Sequence, residues 1–420
     1  MIKATKVALA LCAAIVCGCS HPDPNVLTFS GSSVGREGQV LRTQLARFER
    51  SHPGLRVALQ TTPDAADQRH QLYVQWLNGW ASDPDVLQLD VIWTAEFAAA
   101  GWIARLDRFH PKVDDFFAAA VAADQWNGAL YALPWFVDVG MLYRRTDLAP
   151  EPPRSLDDLV RLARRAREDH RLQFGFVWQG ARYEGLVTVF LECLGAFGGA
   201  ILDGRGRVVV DSGAAEKALT FMRDAIYVDG VVPAAVLTWQ EEQTRFAFQT
   251  GGAAFMRNWP YAYALMEDRS QSQVAGRFAV SAMPAAAGGT PTSALGGAAL
   301  AVNAHSGQPD AAYALIEFLL APEQMIERAR IAGQYPARPA LYKTAALNDA
   351  LPIPAADALS VIERAVPRPV TPVYSQLSEI LQISVHRALT RQQEPGPAMK
   401  DAARSMRTLL AKVQLEPAAP

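Results

Sequence analysis

The 420-residue sequence is poor in cysteine, in internal apolar runs and in net charge, and each shortage closes off a class of protein. Of its four cysteines, Cys12, Cys17 and Cys19 crowd the N-terminus. Cys193 stands alone in the body of the chain, so an internal disulfide is excluded and a buried structural thiol is expected. The histidines are scattered singly, without ligand spacing, so neither a metal site nor a cofactor is expected. Formal net charge is −2 and no long run of like charge occurs, which argues against a nucleic-acid partner. Past the N-terminus no apolar stretch reaches the roughly 18 residues of a membrane span. There is no nucleophile elbow, phosphate loop or His-Glu-x-x-His pattern. The glycine pairs, such as Gly198-Gly199 and Gly296-Gly297, do not make a dinucleotide fingerprint. No repeat of roughly 20–50 residues is present, which excludes a solenoid. An enzyme is not expected.

The N-terminus is where something is present. Lys3 and Lys6 precede an apolar run from Val7 to Val16, followed by Cys17, Gly18 and Cys19. A positive start, a short apolar segment and a small residue before the cut make an export signal, here residues 1–18. Cys19 as the first mature residue resembles the bacterial lipobox, whose thiol receives a diacylglycerol. Cys17 departs from the Ala or Ser usual in that pattern. Residues 19–25 hold two prolines and read as a tether. The chain is therefore expected outside the cytoplasm, anchored to a membrane through lipid.

The length favours two lobes over one core. Val26 to Ser30 reads as a strand. Glu37 to Ser51 carries Val40, Leu41, Leu45 and Phe48 at helical spacing, and Pro53-Gly54 stops it. A strand from Leu55, a helix from Asp67 and a strand from Val86 follow. That alternation predicts parallel βαβ units, with ligands at the carboxyl ends of the strands. Phe136 to Arg144 alternates like one strand. Ser155, with Asp157 and Asp158 behind it, opens a helix. Leu300 to Asn303 is strand-like, and two or three helices fill residues 345 to 415.

The sequence interleaves aromatic groups with polar ones. Trp93, Trp135, Phe136, Trp178, Tyr183, Trp259, Tyr261, Tyr335 and Tyr374 lie mostly near Gly, Pro, Asp, Asn or Arg. A sugar offers hydroxyl pairs around its ring and an apolar C–H face. Carboxylate and guanidinium groups beside stacking aromatics suit both. The adjacent Glu241 and Glu242 read as solvated surface.

Particular motifs carry a resemblance. Ser82-Asp83-Pro84-Asp85-Val86, Asp90-Val91-Ile92-Trp93 and Ala100-Gly101-Trp102-Ile103 resemble the first lobe of the extracellular solute-binding proteins of ABC sugar importers. Leu130 to Pro134 and Asp138 to Tyr143 fit the crossover of that family. Phe176 to Gly180, Arg257 to Ala262, Leu295-Gly296-Gly297 and Ala365 to Pro369 are similar to its maltose/trehalose-binding branch. The resemblance runs from about residue 27 to 415. It implies a two-lobed α/β fold, of the periplasmic-binding-protein type II kind, with several hinge crossings and a ligand cleft between lobes. The N-terminal lobe would comprise 26–137 and 298–340, and the C-terminal lobe 138–297 and 341–415.

The resemblance also implies a site. Glu37, Arg69, Asp90 and Asp138 would hydrogen-bond sugar hydroxyls, and Arg368 would clamp them from the other lobe. Trp259 and Tyr261 would stack on a ring, and Gly297 would allow close backbone approach. Phe136 stands where Tyr is expected and Ala298 where Trp is expected, with Trp135 or Tyr335 as replacements for the lost wall. The phenol's absence removes one hydrogen bond, roughly 0.5–1.5 kcal/mol. The implied ligand is a disaccharide, trehalose first and maltose second. The implied partner is the permease, and the chain is expected to act as a monomer. Two alternatives stay open. One is a glycosidase using Glu37 and Asp138 as its carboxyl pair; the other is a sugar-sensing binding protein.

Overall fold

The computed structural model describes residues 25–33 and 35–413. The expected signal peptide, Cys19, the tether up to Pro24 and the closing Pro-Ala-Ala-Pro lie outside the described residues. Among the described residues no helix is long and apolar enough to cross a membrane.

In chain order the strands are β1 (Val26–Gly31), β2 (Arg56–Thr61), β3 (Val86–Asp90), β4 (Gln125–Trp126), β5 (Ala129–Leu130) and β6 (Ala132–Val139). Then come β7 (Met141–Arg145), β8 (Phe174–Val177), β9 (Ala253–Asn258), β10 (Phe278–Ala282), β11 (Leu295–Val302) and β12 (Tyr335–Pro336). They form a six-stranded sheet, β12-β6-β11-β3-β1-β2, a four-stranded sheet, β10-β7-β9-β8, and a small β4-β5 hairpin. Helices pack against each sheet, giving the two α/β lobes expected. β1 runs parallel to β2 and β3, as the strand–helix alternation predicts. β11, however, is antiparallel to both β3 and β6.

Local signals explain the first helices. Glu37–Ser51 buries Val40, Leu41, Leu45 and Phe48 on one face. Leu156–His170 is capped by Ser155, whose hydroxyl accepts from the Asp158 N–H at 3.1 Å. The apolar helix Glu184–Ala196 is buried along nearly its whole length and forms the spine of the second lobe.

The stretch Phe136 to Arg144 is not one strand. It divides at Gly140 into β6 of the first sheet and β7 of the second. A side chain at Gly140 has no room, since a Cβ there would lie 1.7 Å from Glu192 Oε1. A second crossing runs from Ser293 into β11, and a third passes Val366, which pairs with Ala294. The expected lobe limits shift accordingly. β6 keeps Asp138 and Val139 in the first sheet, and β11 enters it at Leu295 rather than at residue 298. The helices Ala345–Asn348 and Ala355–Glu363 pack on the 339–343 turn, β6 and the helix Pro322–Ala332. They belong to the first lobe, and the chain returns to the second near Val366 instead of at 341.

One buried ion pair sits where the crossings converge. Glu192, from the spine helix, accepts from Arg257 Nε at 2.9 Å and from Arg257 Nη2, and it also accepts the Ala294 N–H at 3.3 Å. Arg257 Nη1 reaches Gln179 Oε1 at 3.1 Å, and its guanidinium lies 3.9 Å from the Trp259 ring centroid. Both side chains are essentially inaccessible to solvent. Removing one partner leaves the other as an uncompensated buried charge. Arg257→Met is therefore expected to cost about 3–5 kcal/mol in urea unfolding. A loss below 1 kcal/mol, on the scale of an exposed pair, would show that the crossings do not depend on it.

Candidate functional site

The carboxyl ends of β3 and β6 flank the amino end of the antiparallel β11, with Ala298 opposite both Asp90 and Phe136, and Gly296 opposite Asp138. They floor a cavity of about 320 Å³ between the lobes. That volume is near the small end of ligand pockets, roughly 300–1,000 Å³. Glu37, Arg69, Asp90, Phe136, Asp138, Trp259, Tyr261, Gly297 and Arg368 all line it. Tyr335 does not. It is fully buried, with its hydroxyl 3.5 Å from Met141 Sδ. Trp135 is also fully buried away from the cavity, under the Arg328 guanidinium at 3.8 Å. Neither aromatic replaces the wall lost at Ala298.

Each polar group has an identifiable support. Glu37 begins its helix and is held by Gln334 Nε2, by Gln88 Nε2 at 3.4 Å and by Arg328 at 3.7 Å. Burial raises the Glu37 pKa, against the opposing pull of Arg328. Arg69 donates to the carbonyls of Pro63 and Asp64 at 3.2 and 3.3 Å, and its guanidinium packs 5.3 Å from the Trp93 ring centroid. Its buried Nε has no hydrogen-bond partner among the described residues. Gly297 has a φ of +122°, and a Cβ there would meet the Phe136 carbonyl oxygen at 2.2 Å. Glycine is thus required first by the neighbouring strand, before any ligand is considered.

Arg368 does more than face a ligand. Its Nη2 donates to Asp90 Oδ1 at 3.0 Å and its Nη1 to Glu184 Oε1 at 2.7 Å, which joins the first lobe to the second. Tyr374 and Ser378 also donate to Glu184. Burial works against the Arg368 charge, yet Asp90 and Glu184 more than offset it and the pKa is raised. The buried Arg368 Nε has no hydrogen-bond partner among the described residues. The expected clamp is therefore a bridge between the lobes, with its Nε–H still to spare.

The start of the helix Glu241–Gln249 supplies a wall not anticipated from sequence. Glu241 and Glu242 both line the cavity; Glu241 is largely buried there, while the Glu242 side chain stays 36% exposed. Glu241 lies beside the Tyr183 hydroxyl and 3.5 Å from Trp259 Nε1. Glu242 accepts from the Tyr261 hydroxyl at 2.8 Å and pairs with Arg245. Burial raises the Glu241 pKa. Adjacent carboxylates carry no mark of burial in sequence. The contact of Glu241 with Asn258, 17 residues on, whose Nδ2 donates to the Glu241 carbonyl, appears only in three dimensions. Tyr183 and Glu184 were reachable, since Tyr183 is among the aromatics that the sequence sets beside polar groups.

Asp138 is the least compensated group. Its Oδ1 is buried and has no hydrogen-bond partner among the described residues. Burial, reinforced by the Glu37 and Asp90 carboxylates, raises its pKa to about 8, against the opposing effects of Arg257 and Arg328. The site thus combines paired carboxylates, a neutral carboxyl, free guanidinium N–H groups and two aromatic rings. That is a set of hydroxyl-binding groups. Among the described residues no cluster of three or more His, Cys, Asp or Glu could hold a metal.

The sequence pattern of the bacterial extracellular solute-binding proteins matches residues 32–326. The chain belongs to this family. Its members are binding proteins, not enzymes. A probable ABC transporter-binding protein from Deinococcus radiodurans is 36% identical over 389 residues, covering 89% of this chain and 91% of that protein. Maltose-bound MalE3 of T. maritima superimposes with a TM-score of 0.87 at 41% identity, covering 92% of this chain and all of that one. The GacH receptor of Streptomyces glaucescens, solved unliganded and with acarbose, shares the fold at a TM-score of 0.81 and 24% identity, covering 92% and 98%. The two-lobed binding-protein architecture expected from the motifs is that of these structures.

The state of Asp138 has a measurable consequence. The folded chain keeps a proton that the unfolded chain, with a pKa near 3.8, gives up. This carboxyl therefore lowers stability progressively as pH rises from about 4 through about 8, and adds nothing further above that. Asp138→Asn is expected to gain thermal stability over the unaltered protein at pH 9 and to gain least at pH 4. Melting curves separated by the same interval at both pH values would show that Asp138 ionises normally.

Proposed function

We propose that this solute-binding protein captures an α-linked glucose disaccharide by closing its lobes and delivers it to the permease of an ABC importer. The observation that carries this reading is the cavity floor. Asp90, Asp138 and Arg368 converge there on a space flanked by Trp259 and Tyr261, built from both lobes. A ligand contacting both lobes stabilises the closed arrangement over the open one. Maltose has the support of the 41%-identical MalE3 neighbour; trehalose has that of the motifs. Phe136 and Ala298 remove a phenol and an indole from the expected walls, so the choice between the two rests with Trp259, Tyr261 and the Glu241-Glu242 wall.

The cleft lies within one chain and needs no second copy, in keeping with a monomeric receptor. Cys19 is the proposed lipid attachment point, on the strength of the apolar export segment before it. A glycosidase reading has no comparable support. Glu37 is fastened by Gln334, Gln88 and Arg328, and the family binds solutes.

Calorimetry with maltose and with trehalose is expected to give a Kd tighter than about 100 μM for at least one, roughly −5.5 kcal/mol. No heat with either sugar, nor with longer glucose oligosaccharides, would refute the sugar assignment; hydrolysis products would refute the binder. Separately, Cys19→Ala is expected to release the protein from the membrane fraction of expressing cells. Retention there would mean that Cys19 is not the anchor.

A further inference from the structure

The lobes meet a second time, away from the ligand cavity. A separate cavity of about 380 Å³ lies between the helices Ala66–Asn78 and Thr94–Ala99 of the first lobe and Tyr374–Leu389 of the second. Of its described lining residues, only Glu184 also lines the ligand cavity. The helix Tyr374–Leu389 turns Leu377, Leu381, Val385 and Ala388 into the core of its own lobe. Ser375, Ser378 and Gln382 recur at i, i+3 and i+7 and make the stripe that faces the first lobe. The stripe is short, polar and uncharged, so it lets the lobes approach closely.

The first lobe brings a ready-made acceptor to that stripe. The His70 ring is set against the buried rings of Trp93 and Phe97, at 5.4 and 5.7 Å between centroids. Its Nε2 donates to Glu96 Oε2 at 2.9 Å. Ser375 Oγ, from the other lobe, donates to the same oxygen at 2.7 Å and stands 3.4 Å from the imidazole nitrogen. Further along the seam, Gln382 Nε2 lies 3.4 Å from Asp67 Oδ2 and 3.0 Å from Ser378 Oγ. His70, Glu96, Ser375 and Gln382 are all outside the lining of the ligand cavity.

These contacts coexist with a shut cleft. On its other flank Arg36 pairs with Asp268 at 3.2 Å, and Tyr261 packs so closely on Gly35 that a Cβ there would meet its ring at 3.1 Å. The Ser375–Glu96 bond therefore belongs to the closed arrangement. It also releases readily. Should the lobes part, Glu96 keeps its imidazole partner and takes water in place of the hydroxyl, so no charge is stranded. We infer that Ser375, with the His70–Glu96 pair that receives it, is a latch that holds the lobes shut and sets the affinity for sugar without touching it. A contact made only in the closed arrangement raises apparent affinity by the factor with which it favours that arrangement. For a hydrogen bond to an ionised acceptor that factor is about tenfold.

The latch rests on the proposed capture of sugar by lobe closure, and the two can fail separately. Calorimetry and stopped-flow release with maltose, trehalose and longer glucose oligosaccharides compare the unaltered protein with Ser375→Ala, Glu96→Ala and the double variant. Ser375→Ala deletes one hydroxyl from a helix and leaves a good helix former. It is expected to weaken binding about tenfold through faster release, by the same factor for every sugar that binds. In the Glu96→Ala background the same change is expected to have no further effect, because the acceptor is already gone. An unchanged Kd in Ser375→Ala would overturn the latch. So would a loss that differs between sugars, the mark of direct ligand contact, or one that persists in full without Glu96. If the unaltered protein binds no sugar, the capture reading fails by itself, and small-angle scattering of the sugar-free chain decides on the latch. A larger radius of gyration in Ser375→Ala is then expected, and an identical one would overturn it.

Discussion

The Glu192–Arg257 pair is the point on which both the hinge and the site depend. Burying two charges is costly, and the cost is met only if every donor and acceptor finds a partner. Here the carboxylate takes the guanidinium and the Ala294 N–H, and the guanidinium takes Gln179 and the face of Trp259. Each of these partners belongs to a functional part. Ala294 lies on the second crossing, and Gly140 on the first passes so close that no side chain fits. Trp259 forms a wall of the cavity. The pair therefore ties the place where the chain crosses between the lobes to the Trp259 ring that lines the cavity.

The cavity above that pair has a graded electrostatic design. Asp90 and Glu184 are balanced by Arg368, and Glu242 by Arg245. Asp138 has no such balance, and burial between Glu37 and Asp90 keeps its proton on near neutral pH. A protonated carboxyl donates as well as accepts, so the site offers both kinds of partner to hydroxyl groups without crowding like charges together. Arg368 adds a mechanical element, because its two ion pairs lie on opposite lobes.

Much of the fold was legible in the sequence because its signals are local. Spacing of Val40, Leu41, Leu45 and Phe48 places a helix whatever the partner, and Ser155 caps one through its own neighbours. Errors arose where the deciding contact is distant. Phe136 to Arg144 alternates without interruption, yet Gly140 divides it, because Glu192, far along the chain, occupies the space of a side chain. Helices 345–348 and 355–363 follow the chain into the first lobe for the sake of apolar packing that no periodicity specifies. Glu241 looks like surface until Tyr183 and Trp259 close around it, and Glu242 until Tyr261 draws it to the cavity wall.

The sequence by itself determined the two α/β lobes and the family, and it named nine residues that line the cavity between the lobes, since these rest on short-range pattern and on motifs in a fixed order. Only the tertiary structure decided that Tyr335 is core, that Arg368 bridges two carboxylates and that Asp138 Oδ1 has no hydrogen-bond partner among the described residues. Each of these is a matter of which atoms meet across dozens to hundreds of residues. Burial, pKa and exposure follow from those meetings and not from residue type.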